Sequence, residues 1–219
     1  MRQRIWRAYV RAGELKERAL RHFAPSRMQF VHYSWPLRPL VCACDVDFCR
    51  YLRERNVTGK SIFHLGTGGH HLVGHENRRA ALGNEVLGLT LSPREHAGYV
   101  RRVIRDPAFG VHYKVLFADL YSLSDASLPA FDLATLFHLC ELSSEPGAVL
   151  RTKGTRILRL FCAKSTPGGL LLFYPGSYGY PHVAPLLAQA VLEGWLAPVE
   201  QYRSVSVFRV NGAPASPPG

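Results

Sequence analysis

From residue 61 onward, short apolar runs alternate with stretches of helical periodicity, and this alternation constrains the fold more than any other feature of the sequence. The runs predicted as strands are Ser61–Leu65, Glu85–Leu89, His112–Ala118, Phe131–Phe137 and Gly169–Tyr174. The stretches predicted as helices are His75–Leu82, Pro93–Ile104 and Glu145–Ser165. Strands joined by helices of this length form right-handed crossovers, so the strands run parallel and helices cover both faces. The sequence therefore predicts a doubly wound α/β sheet.

The final two apolar runs do not follow this alternation of strands and helices. Val199–Tyr202 and Val205–Val210 are separated only by Arg203 and Ser204, which leaves no room for a crossover helix. A two-residue connection joins antiparallel strands. We therefore expect a mostly parallel sheet with an antiparallel C-terminal hairpin at its edge.

We predict three segments along the chain. Residues 1–44 hold a basic N-terminal helix and an aromatic-rich lid segment, residues 45–211 form the α/β domain, and residues 212–219, rich in Pro and Gly, form a disordered tail. A helix at Asp45–Arg55 opens the domain, with Val46, Phe48, Cys49 and Leu52 expected to face inward.

Charge is unevenly distributed along the chain. Lys and Arg number 27 against 16 Asp and Glu, a net charge of +11, and over half of this excess lies in residues 1–27. Such an arm suits an anionic partner, either nucleic acid or acidic lipid, but it is equally typical of a solvated face on a surface helix. Both interpretations stay open at this point.

Two simple counts limit the class of protein. The sequence has no apolar run of the roughly 18 residues that a membrane-spanning helix needs. Its five cysteines are an odd number without Cys-x-x-Cys spacing. Free thiols of this kind are typical of a reduced, cytoplasmic protein. The oligomeric state is open, and a homodimer is one option.

The first predicted strand leads into a glycine turn, Leu65-Gly66-Thr67-Gly68-Gly69. Glycines let the backbone turn sharply and approach a ligand closely, and the helix that follows offers free N–H donors. A turn of this kind after the first strand of a parallel sheet favours a nucleotide-like ligand, although a tight turn without a ligand is the simpler alternative.

The order of these motifs resembles the class I S-adenosylmethionine-dependent methyltransferases over about residues 45–210. In that family the first strand ends in an acidic-x-Gly-x-Gly-x-Gly loop, and here His64 and His70 replace the acid and the third glycine. Phe131-Asp132 matches the start of the family's fourth strand, and Pro167-Gly168-Gly169 matches the turn before its fifth strand. The resemblance implies a Rossmann-like fold and S-adenosyl-L-methionine as the cofactor.

The second predicted strand resembles one group within this family. Gly88-Leu89-Thr90-Leu91-Ser92 is similar to the corresponding stretch of cyclopropane fatty acid synthase-like methyltransferases, in which a threonine and a later glutamine lie near the ribose. His96 stands where that glutamine is usual. Ser92 followed by Pro93 is also a helix N-cap, which needs no ligand to explain it.

The resemblance carries over a set of cofactor-binding residues. They are His64, Gly66, Thr67, Gly68, Leu89, Thr90, Leu91, His96, Asp119, Leu120 and Phe137. Because a neutral imidazole cannot neutralise a cationic amino-acid head, His64 leaves two outcomes. Either it bonds a backbone N–H while another acid serves the cofactor, or affinity is weak.

The candidate catalytic residues are His138, Glu141 and His70. His138 and Glu141 follow the fourth strand, whose carboxyl end faces the transferred methyl in this fold. We expect a base and its orienting acid there, with a packed strand-end histidine as the alternative. His70 is the candidate for a second base or a substrate contact.

No metal site is predicted. His71 and His75 are four residues apart, a spacing that suits zinc, but hydrogen bonds within the loop explain them more simply.

Two functions of different kinds follow. The first is methyl transfer to a small-molecule acceptor, with an N-terminal helical lid. The second is a catalytically inactive Rossmann-like binding module whose basic arm, residues 1–27, holds an anionic partner. A dinucleotide oxidoreductase is a weaker third hypothesis, because no acid ends the second strand to hold a ribose.

Overall fold

The computed structural model describes residues 31, 33–37, 42–141 and 147–212. The predicted basic arm, residues 1–27, and residues 213–219 of the predicted tail lie outside these ranges. Within them no helix is long and apolar enough to cross a membrane.

Seven strands and five α-helices alternate along the chain. In order they are α1 (Ala43–Glu54), β1 (Ser61–Leu65), α2 (Leu72–Arg79), β2 (Glu85–Thr90), α3 (Pro93–Arg105), β3 (Tyr113–Phe117), β4 (Phe131–Thr135), α4 (Gly147–Lys164), β5 (Ser165–Phe173), α5 (Tyr180–Leu192), β6 (Leu196–Tyr202) and β7 (Val205–Val210). Short 3₁₀ turns lie at Pro107–Gly110, Leu120–Ser122 and Asp125–Ser127.

The strands form one sheet in the order β3-β2-β1-β4-β5-β7-β6. The first five strands are parallel, whereas β7 pairs antiparallel with both β5 and β6. The predicted doubly wound sheet and its C-terminal edge hairpin are therefore confirmed.

Two apolar clusters lie on opposite faces of this sheet. On one face, α4 and α5 pack through residues such as Ile157, Phe161 and Leu187. On the other face, residues of α1, α2 and α3, such as Phe48, Val73 and Tyr99, surround the fully buried Tyr113. Because both faces are covered, the strands are apolar throughout rather than alternating, which is why they are visible in the sequence.

Helix α3 begins where the sequence predicts. The Ser92 hydroxyl accepts a hydrogen bond from the Glu95 amide at 3.3 Å, and Pro93 occupies the first turn. The predicted N-cap is confirmed, and Ser92 has a second bond, since its hydroxyl also donates to the Tyr33 carbonyl at 2.6 Å.

One helix lies where none was predicted, and one predicted inward residue of α1 was wrong. Helix α5 was not predicted, because Pro181, Pro185 and the preceding Gly-Tyr stretch indicate a loop, yet its face with Val183 and Leu187 is buried. In α1 the inward residue is Asp45, 3% exposed, rather than Val46. Asp45 shares its helix face with Phe48, Cys49 and Leu52, which lie three, four and seven residues further on.

The glycine at position 74 tests how tightly α2 packs on the sheet. A Cβ there would lie 2.5 Å from Cδ1 of the buried Tyr113 ring. We expect Gly74→Ala to destabilise the fold by about 1–3 kcal/mol, because overpacking outweighs the gain of about 1 kcal/mol in helix propensity. Gly98→Ala in α3 is the matched control, since its Cβ meets only the His71 ring, at 3.8 Å, and should be neutral or stabilising. Urea unfolding of both variants measures the difference, and equal effects would contradict this packing.

Candidate functional site

The candidate site lies at the carboxyl ends of β1 and β4, where the order of the strands reverses. β1 pairs with β2 on one side and with β4 on the other, so the connections from β1 and β4 leave on opposite faces. A crevice opens at such a switch point, and ligands of open α/β sheets bind there. The loops that border it hold His64 to His71 and Leu136 to Glu141.

The turn after β1 depends on two glycines in the left-handed region. Gly66 has φ +85° and Gly68 has φ +57°, conformations that favour glycine. The Gly66 amide donates to Leu89 and the Gly69 amide to Trp35, both at 2.9 Å. The two amides between them donate to no backbone carbonyl of the described chain. They are the N–H groups available to an anionic ligand.

The Thr67 side chain points away from this crevice. Its methyl group would lie 2.5 Å from a Cβ at Gly88, so Thr67 packs onto β2 where a glycine makes room. Of the predicted cofactor contacts of Thr67, only a backbone contact fits this geometry.

Imidazole rings cover both glycines of the turn. A Cβ on Gly68 would lie 2.5 Å from Nε2 of His70, and a Cβ on Gly66 would lie 3.2 Å from Nε2 of His138. Side chains at either position would collide with these rings. The turn therefore brings both candidate catalytic histidines, His70 and His138, against the predicted cofactor loop.

His64 at the end of β1 is fully buried and neutral. Its Nδ1 lies 2.8 Å from the Thr135 hydroxyl and its Nε2 lies 3.7 Å from Oδ1 of Asp45. Burial, together with the neighbouring histidines, lowers the pKa of His64 to about 3. His64 thus bonds a hydroxyl on β4, not the backbone N–H that we considered.

Helix α1 places a buried acid, Asp45, beside the end of β1. Asp45 lies between two imidazoles, with Oδ1 facing His64 and Oδ2 3.5 Å from Nε2 of His70. Burial raises the pKa of Asp45 to about 7, although the His138 charge and a hydrogen bond from Cys44 partly offset it. The sequence analysis missed Asp45, although an acid on the apolar stripe of α1 is a signal for such a residue.

Cys42, Asp45 and His70 bring three metal-ligating atoms within 4.8 Å of one another. The Leu72 amide, however, donates to Nδ1 of His70 at 3.1 Å, which places the ring proton on Nε2, the atom that faces Asp45. A metal-bound histidine normally donates its second N–H, and here that nitrogen already accepts. The arrangement therefore fits a hydrogen bond from His70 to Asp45 better than a metal.

His138 and Glu141 form an ion pair directly after β4. Nδ1 of His138 contacts Oε2 of Glu141, and this carboxylate also accepts from the Ser177 hydroxyl at 3.1 Å. Burial disfavours the charged ring, but the Glu141 carboxylate outweighs it and raises the pKa of His138. Burial likewise opposes ionisation of Glu141, yet His138 and the hydrogen bonds lower the pKa of that carboxyl. When the ring is neutral, the Glu141 contact at Nδ1 leaves Nε2 of His138 as the proton acceptor.

A second acid closes the carboxyl end of β2. Glu95 is 3% exposed and accepts from the Thr90 hydroxyl at 2.6 Å and from the Trp35 amide at 2.9 Å. No acid ends β2 itself, as predicted, but the first turn of α3 folds Glu95 back onto Thr90. The spacing Ser92-x-x-Glu95 was the signal for it.

Residues 33–37 lie across the ends of β1 and β2. Trp35 bonds Glu95 and Gly69, the Tyr33 carbonyl accepts from Ser92, and Ser34 approaches Gly69 so closely that a Cβ there would collide with its hydroxyl. This part of the predicted lid segment therefore covers the crevice from the β2 side.

The remaining predicted cofactor residues lie along the same edge. Asp119, after β3, accepts from the Tyr121 amide at 2.9 Å and caps the following 3₁₀ turn. His96 on α3 faces the Phe117 ring at 6.2 Å. The last four of the set are apolar and mostly buried: Leu89, Leu91, Leu120 and Phe137. Their contacts with a cofactor stay predictions.

His71 and His75 do not converge on a common point. His71 faces the Tyr113 hydroxyl at 3.3 Å, whereas His75 contacts the Arg102 guanidinium. Contacts with neighbours, the simpler explanation, hold one nitrogen of each ring, while Nε2 of His71 is buried without a hydrogen-bond partner in the described part of the chain.

Solved methyltransferases of low sequence identity share this fold. The CcbJ methyltransferase from Streptomyces caelestis matches with a TM-score of 0.56 at 14% identity, over 76% of this chain and 89% of that one. Magnesium protoporphyrin IX methyltransferase (ChlM) from Synechocystis PCC 6803, solved with bound SAM, matches with a TM-score of 0.52 at 12% identity, over 76% and 77%. The [4+2]-cyclase SpnF matches with a TM-score of 0.50 at 18% identity, over 86% and 72%.

Other comparisons add less. The match with coclaurine N-methyltransferase covers 58% of this chain but only 35% of that protein. No protein-family model matches the sequence, and no curated protein sequence matches it. The structural matches alone show that the chain has the fold of class I S-adenosylmethionine-dependent methyltransferases. A cyclase with the same fold shows that the fold by itself does not assign the reaction.

The buried histidines make stability depend on pH. Burial, then the Arg102 and histidine charges, lower the pKa of His71 from 6.5 to about 4. Between these values the unfolded chain binds a proton that the folded chain does not, so His71 costs stability as pH falls below 6.5. We expect the loss of unfolding free energy between pH 7 and pH 5 to be smaller by about 2 kcal/mol in His71→Asn.

Urea unfolding at the two pH values checks this. Asn is chosen because it tolerates the left-handed conformation of residue 71, φ +48°. A parallel loss of stability in the wild type and the variant would contradict the assignment of a neutral, buried His71.

Proposed function

We propose that the protein transfers a methyl group from S-adenosyl-L-methionine to a small-molecule acceptor. The observation that carries the proposal is the His138–Glu141 pair, whose imidazole lies against Gly66 of the β1 turn. A base held by an acid beside a glycine turn, at the switch point of a methyltransferase fold, is what this reaction needs. The same pair argues against the inactive binding module, which would not require it.

The residues present fit the cofactor. The two glycines bring the backbone of the turn against the His70 and His138 rings, and the amides of Thr67 and Gly68, which donate to no backbone carbonyl of the described chain, can donate to a carboxylate. The proposed contacts with the nucleoside are those of Thr90, His96, Asp119 and their apolar neighbours. When bound, S-adenosyl-L-methionine supplies a methyl group on a sulfonium that is already activated toward nucleophilic attack.

The protein then has to align the acceptor, exclude water and remove a proton where the acceptor carries one. Alignment of two reactants can lower a barrier by roughly 7–11 kcal/mol. Nε2 of His138 takes the acceptor's proton, and the Glu141 carboxylate stabilises the imidazolium that results. Ser177 holds Glu141 in place through its hydrogen bond.

His70 has a different role in this proposal. Burial and the His138 charge lower the pKa of His70 to about 4, which makes it a weak base at neutral pH. Its Nε2–H instead faces Asp45. We assign proton removal to His138 and leave His70 as the ring that orders the turn.

Asp45 replaces the acid that the β1 motif lacks. The amino-acid head of the cofactor carries an ammonium group, and Asp45 is a buried carboxyl beside the turn with neutral imidazoles on both sides. Once its proton is released to solvent, this carboxylate would pair with the ammonium group. We therefore propose that Asp45, on α1, binds the cofactor's ammonium group.

The remaining proposals concern the acceptor, the subgroup of the family, the location and the binding partners. The acceptor atom is unassigned, and the finer likeness to cyclopropane fatty acid synthases rests on the β2 sequence alone. A cytoplasmic location rests on the five cysteines, which are buried and form no disulfide bonds. A homodimer, and an anionic partner for residues 1–27, remain predictions from the sequence.

Removing the Asp45 charge should weaken binding of the amino-acid head only. We expect Asp45→Asn to reduce S-adenosylhomocysteine affinity by about 10- to 100-fold, the equivalent of about 1.5–3 kcal/mol for a charged hydrogen bond. The affinity for 5′-methylthioadenosine, which lacks the amino-acid head, should not change. Isothermal titration calorimetry measures both ligands.

Asp47→Asn is the matched control, because Asp47 lies on the same helix but bonds Ser204 at 2.7 Å. Equal losses for both ligands in Asp45→Asn would mean that Asp45 is only structural. A wild-type protein that is folded but binds neither ligand would overturn the proposed function itself.

The protonation of His138 can be measured before the acceptor is known. We expect its ring to titrate above 6.5 in the wild type and at lower pH in Glu141→Gln, because the variant removes the charge that stabilises the imidazolium. Activity that requires a neutral His138 would then rise through this pKa as pH increases. NMR titration of the ring protons gives the value.

Ser177→Ala is the comparison variant, since it removes one hydrogen bond to Glu141 but keeps the charge. A larger pKa change in Ser177→Ala than in Glu141→Gln would contradict the pairing.

A further inference from the structure

The outward face of α3 carries a row of arginines. Arg94, Arg101 and Arg105 are seven and four residues apart, with Gly98 between the first two, so all four positions lie within one narrow face of the helix. All three arginine side chains are exposed. We call Arg94, Arg101 and Arg105 the α3 arginine row.

No acid neutralises this row within the described part of the chain. None of the three arginines has an ion pair or a side-chain hydrogen bond among residues 31, 33–37, 42–141 and 147–212. The one acid within α3, Glu95, is buried and bonds Thr90, away from the row. The row therefore presents three uncompensated positive charges to solvent.

A fourth arginine flanks the row in a fixed position. The Arg102 guanidinium contacts His75 and lies 5.4 Å from the centre of the Phe109 ring. These contacts orient Arg102 before any ligand binds, which reduces the entropy lost on binding.

The helix face is recessed at its middle. A cleft of about 460 Å³ is lined by Gly98, Arg101, Arg102, Arg105 and Asp106. Gly98 lies at the base of this cleft. A Cβ at that position would contact only Nε2 of His71, at 3.8 Å. The Asp106 carboxylate at one end is paired with Arg78, whose hydrogen bond helps to lower the pKa of Asp106. The lining thus has an excess of positive charge.

We propose that the α3 arginine row binds the phosphodiester backbone of a nucleic acid. The row extends about 16 Å, at 1.5 Å per residue, which is long enough to contact successive phosphates of one strand. Arginine forms planar, paired hydrogen bonds with phosphate, and it is the usual residue for contacts with a nucleic-acid backbone. A linear row with a cleft suits a protruding strand better than the flat surface of a bilayer. This surface is independent of the methyltransferase proposal.

The experiment compares two full-length variants of equal charge. Arg94→Gln/Arg101→Gln/Arg105→Gln removes the row, and Lys60→Gln/Arg151→Gln/Arg209→Gln removes three charges from the β1 approach, α4 and β7. Fluorescence anisotropy with a labelled 20-nucleotide single strand measures affinity between 50 and 200 mM salt. Thermal unfolding checks that both variants keep the wild-type fold.

Loss of three phosphate contacts should reduce the salt slope of the row variant by about 2, at about 0.7 per phosphate of a single strand. The wild type should then lose about 20-fold more affinity than the row variant over this salt range. The control variant should keep the wild-type slope.

Three outcomes would overturn the proposal. One is equal loss of slope in both variants, which indicates general charge; another is no measurable binding of the strand by the wild type. The third is binding to phosphatidylcholine vesicles with 30% phosphatidylserine but not to the strand. That result would assign the row, with the exposed Val100 and Ile104 beside it, to a membrane surface.

Discussion

Parallel pairing of β1 with both β2 and β4 is the constraint from which the candidate site follows. Because β1 lies between them, the chain leaves β1 toward α2 on one face and leaves β4 toward α4 on the other. The two loops thus leave the sheet toward opposite faces, at the position where ligands of open α/β sheets bind. Gly66 and His138 belong to these two loops, which is why residues far apart in sequence meet there.

The protonation states of His64 and Asp45 both change when the chain folds. Burial keeps His64 neutral and raises the pKa of Asp45 to about 7, so at pH 5 to 6 the folded pair is neutral on both sides. In the unfolded chain at this pH the histidine is charged and the aspartate is ionised. The pair therefore carries the same number of protons in both states, and its two contributions to the pH dependence of stability oppose each other. His71 is not paired with such a carboxyl, so its lowered pKa contributes in full to the pH dependence of stability.

Most of the fold could be predicted from the sequence because buried parallel strands are continuous apolar runs. Strand β1 was predicted with its observed bounds, and the hairpin β6–β7 followed from a connection of two residues. Helix α5 could not be found, since its prolines at 181 and 185 indicate a loop and only tertiary burial reveals the helix. Motif comparison indicated where the candidate site lies, but it did not identify the acidic residues there. Asp45 and Glu95 come from helices next to the strands, and strand-end motifs do not include them.

The position of β7 sets an order for assembly of the sheet. β6 is made first, yet it touches the sheet only through β7, which inserts between β5 and β6. During synthesis β6 therefore has no strand partner until residues 205–210 have left the ribosome. Until then the free edge of β5 is exposed, and a partly made chain is open to pairing with other nascent strands. Truncation of the chain before β7 would thus remove two strands from the sheet, not one.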